Sequence, residues 1–185
     1  MARPPEPGRR AVTLAKATDY VLGQGLSGLS LRPLAAALGT STRMLLYDFG
    51  SKEKLVSEVL AEARRRLSAQ LAEYLDTVED ASRAGMLGAI WEWLTDAENT
   101  PYLRLFFEVQ AHALTHPEAY ADGGRALVTD WLDFFGDQAR PDRLDPAAAT
   151  LVVATLRGLL LDRFLSGDVR RTDEALARFT ALLAP

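Results

Sequence analysis

Apolar residues recur along this chain at helical spacing, and nowhere do they alternate as a strand would require. From Arg9 to about Gln24, Val12, Leu14, Ala15, Ala17, Val21 and Leu22 form one stripe, which Gly23 and Gly25 end. Leu31, Leu34, Ala35 and Leu38 then stand at i, i+3, i+4 and i+7. Ser30 is the expected N-cap, and Pro33 falls in the first turn, where its missing N–H costs nothing. Gly39 suits the left-handed exit from that helix. Thr40 and Ser41 lead into a short helix on which Leu45 and Phe49 face inward, while Thr42, Arg43, Leu46 and Tyr47 face outward. Ser51 opens a long helix reaching to near Asp76, striped by Leu55, Val56, Val59, Leu60, Ala63, Leu67, Leu71 and Leu75.

The helical period continues beyond it. Asp80 to about Ala97 carries Met86, Leu87, Ile90, Trp91 and Leu94. Thr100-Pro101 reads as an N-cap followed by proline at the first helical position, opening a helix to about Thr115 that His116-Pro117 stops. A further helix is expected from about Glu118 to Ala139, with Trp131, Phe134 and Phe135 among its apolar residues. Asp145-Pro146 opens a helix apolar nearly all round, and Gly167 ends it. Thr172, with Asp173 and Glu174 in the first turn, is the expected start of the last helix. The fold class is therefore all-α, about nine helices: a three-helix head on a larger helical body. The expected division is 1–50 for the head, 51–76 for a connecting helix and 77–185 for the body.

A short helix, a glycine turn and a second short helix with polar outer positions meet the needs of a helix-turn-helix, in which two helices cross steeply over a 3–4-residue turn. Ala35 is small where those helices approach. The stretch Ser30–Leu55, SLRPLAAALGTSTRMLLYDFGSKEKL, resembles the DNA-binding domain of tetracycline-repressor (TetR) type regulators. Ser30, Leu34, Ala35, Gly39, Ser41, Leu45, Phe49, Ser51, Lys52, Glu53 and Leu55 fall in register with the family pattern, eleven positions of 26. Leu46 stands where the pattern has Tyr, and Asp48 where it has His, at positions that commonly touch the DNA backbone in the family. The resemblance implies a sequence-specific DNA-binding transcriptional regulator, a repressor released from its operator by a small-molecule ligand. It also implies a homodimer on a roughly palindromic double-stranded site.

The candidate DNA-contacting residues are Ser30, Arg32, Ser41, Thr42, Arg43, Tyr47 and Lys52. Arg43 is the candidate for a base, because arginine pairing with guanine O6 and N7 is the commonest specific contact. Tyr47 can take the phosphate hydrogen bond that Leu46 cannot make. Lys52 lies in the first turn of its helix, where the dipole disfavours a cation unless a phosphate also sits there. Arg3, Arg9 and Arg10 read as an arm reaching phosphate or the minor groove, with a solvated tail as the alternative for Arg3.

Net charge is −4, which alone would argue against a nucleic-acid partner. Its distribution reverses that: residues 1–66 hold 11 Lys+Arg against 6 Asp+Glu, a net +5, whereas residues 67–185 carry a net −9. With no cysteine there is no disulfide or thiolate metal site. No run of 18 apolar residues is present and no apolar segment follows the N-terminal arginines, so neither a membrane span nor a signal peptide is expected, and a cytoplasmic location is. Without a cysteine nucleophile, a Ser-His arrangement or a phosphate-binding glycine loop, the chain is not expected to be an enzyme.

In the body, Trp91, Phe106, Phe107, Gln110, His112, Trp131 and Phe135 are candidate lining for a ligand pocket, aromatic surface with a few polar groups. The same aromatics are equally what a helical core would use. Glu108, His112 and His116 share a helix face at i, i+4 and i+8, which a metal would accept but which also describes a partly exposed polar stripe; no metal or cofactor is expected. Helices apolar all round need two partners. The segment GLLLDRFLSGD resembles the C-terminal region of the family, whose last two helices form an intersubunit four-helix bundle, and on that basis Leu156, Leu160, Phe164 and Phe179 are the dimer-interface candidates. The alternative reading is a helical protein–protein interaction module whose basic head binds an acidic partner and no DNA.

Overall fold

A computed structural model describes residues 8–80, 82–116, 132 and 144–183. Among these residues the structure is helical without strands: α1 Arg9–Gln24, α2 Leu31–Ala37, α3 Thr42–Phe49, α4 Lys52–Leu75, α5 Arg83–Thr95, α6 Thr100–Thr115, α7 Pro146–Ser166 and α8 Val169–Leu182. The helix expected over about 118–139, with Trp131 and Phe135, lies outside the described residues except for Leu132, which is helical.

The chain divides into two compact units. The first comprises Met1–Gln70 and Glu98–Ala111, and the second Leu71–Ala97 and His112–Pro185. The long α4 and α6 thus each run from one unit into the other. In the first unit, Ala17 and Val21 of α1, Leu34 and Ala35 of α2, Leu45 and Phe49 of α3, and Leu55 and Val59 of α4 are all buried. Thr18 is buried with them, its hydroxyl donating to the Leu14 carbonyl at 2.9 Å, whereas Val12, expected on the inner stripe, is exposed. Two arginines tie α4 to α1: Arg10 donates to both Glu58 carboxylate oxygens at 2.6 Å, and Arg66 reaches Asp19 at 2.6 Å and the Ala15 carbonyl at 3.3 Å. Arg65 and Arg66 both also donate to Glu62. The Arg64-Arg65-Arg66 run is thus, at two of its three positions, committed to carboxylates of its own unit.

In the second unit Leu71, Leu87, Ile90, Trp91, Trp93, Leu94, Val152, Val153, Leu156, Leu160 and Leu176 are buried. A polar cluster joins three of its helices. Asp173 of α8 accepts from the Trp91 indole N–H of α5 at 2.7 Å and from Arg163 of α7 at 2.6 Å. The Arg163 guanidinium also lies 5.5 Å from the Trp91 ring centroid, a cation–π distance.

Three helix starts differ from those expected, each for a local hydrogen-bonding reason. α5 begins at Arg83, because Asp80 accepts from the Ser82 N–H at 2.9 Å and the Ser82 hydroxyl then caps Gly85 N–H at 3.1 Å. Thr100 is already helical, since a 3₁₀ turn over Ala97–Asn99 feeds straight into α6. α8 starts at Val169 and not at Thr172: Asp168 supplies the capping oxygen, accepting from Arg171 N–H at 3.1 Å. Thr172 is fully buried inside the helix, donating back to the carbonyls of Asp168 and Val169. The Asp145 cap of α7 is as expected, accepting from Ala147 and Ala148 N–H.

Candidate nucleic-acid interface

The helix-turn-helix is built by short-range bonds around Gly39. Thr40 N–H returns to the Ala35 carbonyl at 2.9 Å and Gly39 N–H to that of Ala36 at 3.2 Å, so the chain must reverse on one residue. Gly39 meets this with φ +67°, a left-handed conformation that a Cβ would penalise. Ser41 then caps α3, its hydroxyl accepting from Met44 N–H at 3.2 Å. Ser30 occupies the N-cap position of α2 in extended conformation, but its side chain makes no capping bond. Ser51 does cap, accepting from Lys54 N–H at 3.1 Å and also interacting with Glu53. The Glu53 carboxyl is held below its ordinary value by a backbone N–H and the Ser51 hydroxyl.

With Leu45 and Phe49 turned inward, the outer face of α3 carries Thr42, Arg43, Leu46 and Tyr47, Leu46 41% and Tyr47 70% exposed. Ser30, Arg32, Ser41 and Lys52 are exposed as well, so all seven candidate contact residues belong to the surface of the first unit.

Asp48 is arranged differently from an outward-facing residue. Its side chain is only 6% exposed and its carboxylate is paired with Arg9 at 2.5 Å. Arg10 donates through Nε to the Asp48 carbonyl at 3.0 Å, while its guanidinium lies 4.8 Å from the centroid of the Phe49 ring. Arg9 and Arg10 therefore do not form a free arm. They form the first turn of α1 and clamp the C-terminal end of α3. The negative charge that α3 would otherwise present to phosphate is answered within the protein.

Of the Glu108, His112 and His116 face, Glu108 is engaged within the protein. The Glu108 carboxylate accepts from Leu26 N–H at 2.8 Å and Ser27 N–H at 2.5 Å, holding the loop between α1 and α2. Gly25 beside it has φ +77°, a conformation that L side chains rarely adopt, and a Cβ there would also come within 2.9 Å of Glu108 Oε2. The His112 and His116 rings are exposed and stack at 4.4 Å. Among the described residues no group of three or more His, Cys, Asp or Glu could hold a metal ion.

Of the pocket candidates, Trp91 belongs to the core of the second unit, its indole bound to Asp173. Phe106, Phe107 and Gln110 are half-buried on α6 in the first unit, the two phenyl rings edge-to-face at 5.5 Å. Trp131 and Phe135 lie outside the described residues. Of the dimer-interface candidates, Leu156 and Leu160 are 3% and 4% exposed and lie in the core of their own chain. Phe164 is exposed and Phe179 half-buried. The apolar side chains that α7 leaves in solvent are Leu151, Leu161, Phe164 and Leu165, joined by Val169 and Leu182 of α8. The capping of α8 by Asp168 and the inward turn of α7 at Val152, Val153, Leu156 and Leu160 set that phase.

Residues 14–59 match the family described as bacterial regulatory proteins, tetR family. Over 180 residues, 93% of this chain and 92% of the relative, the sequence is 27% identical to the HTH-type transcriptional regulator BetI of Burkholderia thailandensis. The fold is shared with the multidrug binding protein EbrR complexed with imidazole (25% identity, 97% of both chains, TM-score 0.72). It is shared too with a TetR-family member from Streptomyces coelicolor A3 (24% identity, 97% of this chain and 99% of that one, TM-score 0.72). The glycine turn, the capped α3 with its exposed polar face and these likenesses together identify residues 14–59 as a DNA-binding domain of the tetR type, and the chain as similar over its length to DNA-binding regulators of transcription.

Proposed function

We propose that this regulator is a homodimeric repressor that a small molecule bound in its helical body releases from a roughly palindromic operator. The observation that carries the reading is the outer face of α3: Thr42, Arg43 and Tyr47 exposed together, with Asp48 neutralised by Arg9. Arg43 pairs with a guanine, and Ser30, Arg32, Tyr47 and Lys52 position the head on phosphates. Two copies are needed because a two-turn helix reads only a few base pairs; a dimer sets two such helices about one helical turn, ~34–36 Å, apart. The exposed apolar strip of α7 and α8 supports a second subunit there. The ligand acts only through its different affinity for the operator-competent and incompetent dimers. A chromosomal target places the protein in the cytoplasm, and among the described residues no helix is long and apolar enough to cross a membrane. The relative EbrR, a multidrug binding protein complexed with imidazole, supports a ligand-responsive body.

The test is retention of fragments from the source genome, followed by a screen of ligand classes for release. A retained palindromic duplex, bound more tightly than its shuffled counterpart and freed by one ligand class, is the expected result. Equal binding to both duplexes would remove sequence-specific repression.

A further inference from the structure

The reading face of α3 holds one side chain that neither phosphate contact nor guanine pairing uses. Leu46 is 41% exposed, while Leu45 beside it is 1% exposed. It follows Thr42 by four residues and Arg43 by three, the spacing that puts side chains next to each other on one helix face. A leucine in that place has no favourable contact with a phosphate oxygen or with the polar edge of a base. In the major groove the apolar feature of the base edges is the C5-methyl of thymine. Arg43, Arg32 and Lys52 of the same unit are exposed as well, and the carboxylate nearest to Leu46 in sequence, Asp48, is turned away and paired with Arg9.

We propose that Leu46 is a specificity-determining residue that packs against the C5-methyl of a thymine in each operator half-site. Three residues along α3 rise about 4.5 Å, so this thymine lies within about two base pairs of the pair read by Arg43. The proposal rests on the DNA-binding reading and adds to it the kind of base that the apolar part of the face selects. Leu46 stands where the family pattern has tyrosine.

The experiment uses a duplex retained by the full-length protein, in which each thymine is replaced singly by deoxyuridine, removing the methyl and keeping the pairing edge. Affinity is measured for the unmodified protein, Leu46→Ala, Tyr47→Ala and Arg43→Ala. One position per half-site should lose roughly fourfold in affinity on loss of its methyl. Leu46→Ala should abolish that thymine–uracil difference, and Arg43→Ala should preserve it. Because Leu46 is exposed, its replacement should leave the thermal melt unchanged, so lost discrimination reports contact and not unfolding. A duplex bound equally well with every thymine replaced would overturn the thymine contact alone, leaving DNA binding intact. So would a difference that survives Leu46→Ala but vanishes in Tyr47→Ala. Failure of the protein to retain any duplex would overturn the DNA reading and the thymine contact with it.

Discussion

At the scale of the residue, the head separates side chains that hold α3 from those that α3 offers. Arg43 is exposed and offered, so Arg43→Ala should cost about 1–3 kcal/mol of operator binding and relax specificity at one base pair, checked by affinities for single-base operator variants. A uniform loss on all sequences would reassign it to phosphate. Lys52→Ala should instead weaken every duplex alike and lower the slope of log K against log salt by about one. An unchanged slope would place Lys52 off the interface. Arg9 belongs to the holding set: Arg9→Ala leaves the Asp48 carboxylate, 6% exposed, without the cation it faces. The loss should be about 1.5–3 kcal/mol of stability in denaturant unfolding. Arg9→Ala with Asp48→Asn should recover part of it, since the uncompensated charge is then gone. Equal stabilities of the single and double variants would mean that the pair contributes little.

At the scale of the element, carboxylates on α4 and α6 receive donors from within the first unit. Glu62 receives Arg65 and Arg66, and its carboxyl is held at about 2 against an ordinary 4.5, first by the Arg65 hydrogen bond and then by that of Arg66. A carboxyl depressed in the folded state stabilises fully above its unfolded value and loses that contribution as the pH falls toward its folded one. The melting difference between the unmodified protein and Glu62→Gln should therefore be constant from neutral pH down to about 5 and shrink between about 4.5 and 2. A difference that persists undiminished at pH 2 would show that packing, not charge, is what the substitution removes. On α6, Glu108 plays the corresponding part for the loop at Leu26 and Ser27. Its place four residues before His112 suggests a ligand set, yet its hydrogen-bond partners lie more than eighty residues earlier in the chain. No spacing rule connects residues that far apart.

At the scale of the whole molecule, the issue is which apolar side chains serve the chain's own core and which stay exposed, where the proposed second subunit would pack. Leu160→Ala should cost about 2–5 kcal/mol of stability, because its side chain fills the core of the second unit. Leu165 is 80% exposed, so Leu165→Asp should leave the helical content intact and give monomers by light scattering. A folded dimeric Leu165→Asp would move the subunit interface elsewhere.

The 3.6-residue period, the caps and the glycine turn are local, and they sufficed to determine from the sequence the all-α class, α1, the turn at Gly39, the inward Leu45 and Phe49, and the Asp145 start of α7. The Thr172 start failed within the same local chemistry, since Asp168 offered the better capping oxygen. Only the tertiary structure decided which way α7 faces. A helix apolar nearly all round has no phase in its pattern, so Leu156 and Leu160 cannot be told from Leu161 and Leu165 until neighbouring helices cover one side. It alone decided also that Asp48 faces Arg9 rather than DNA, because a charge on a short helix takes its meaning from what stands opposite, here 39 residues away.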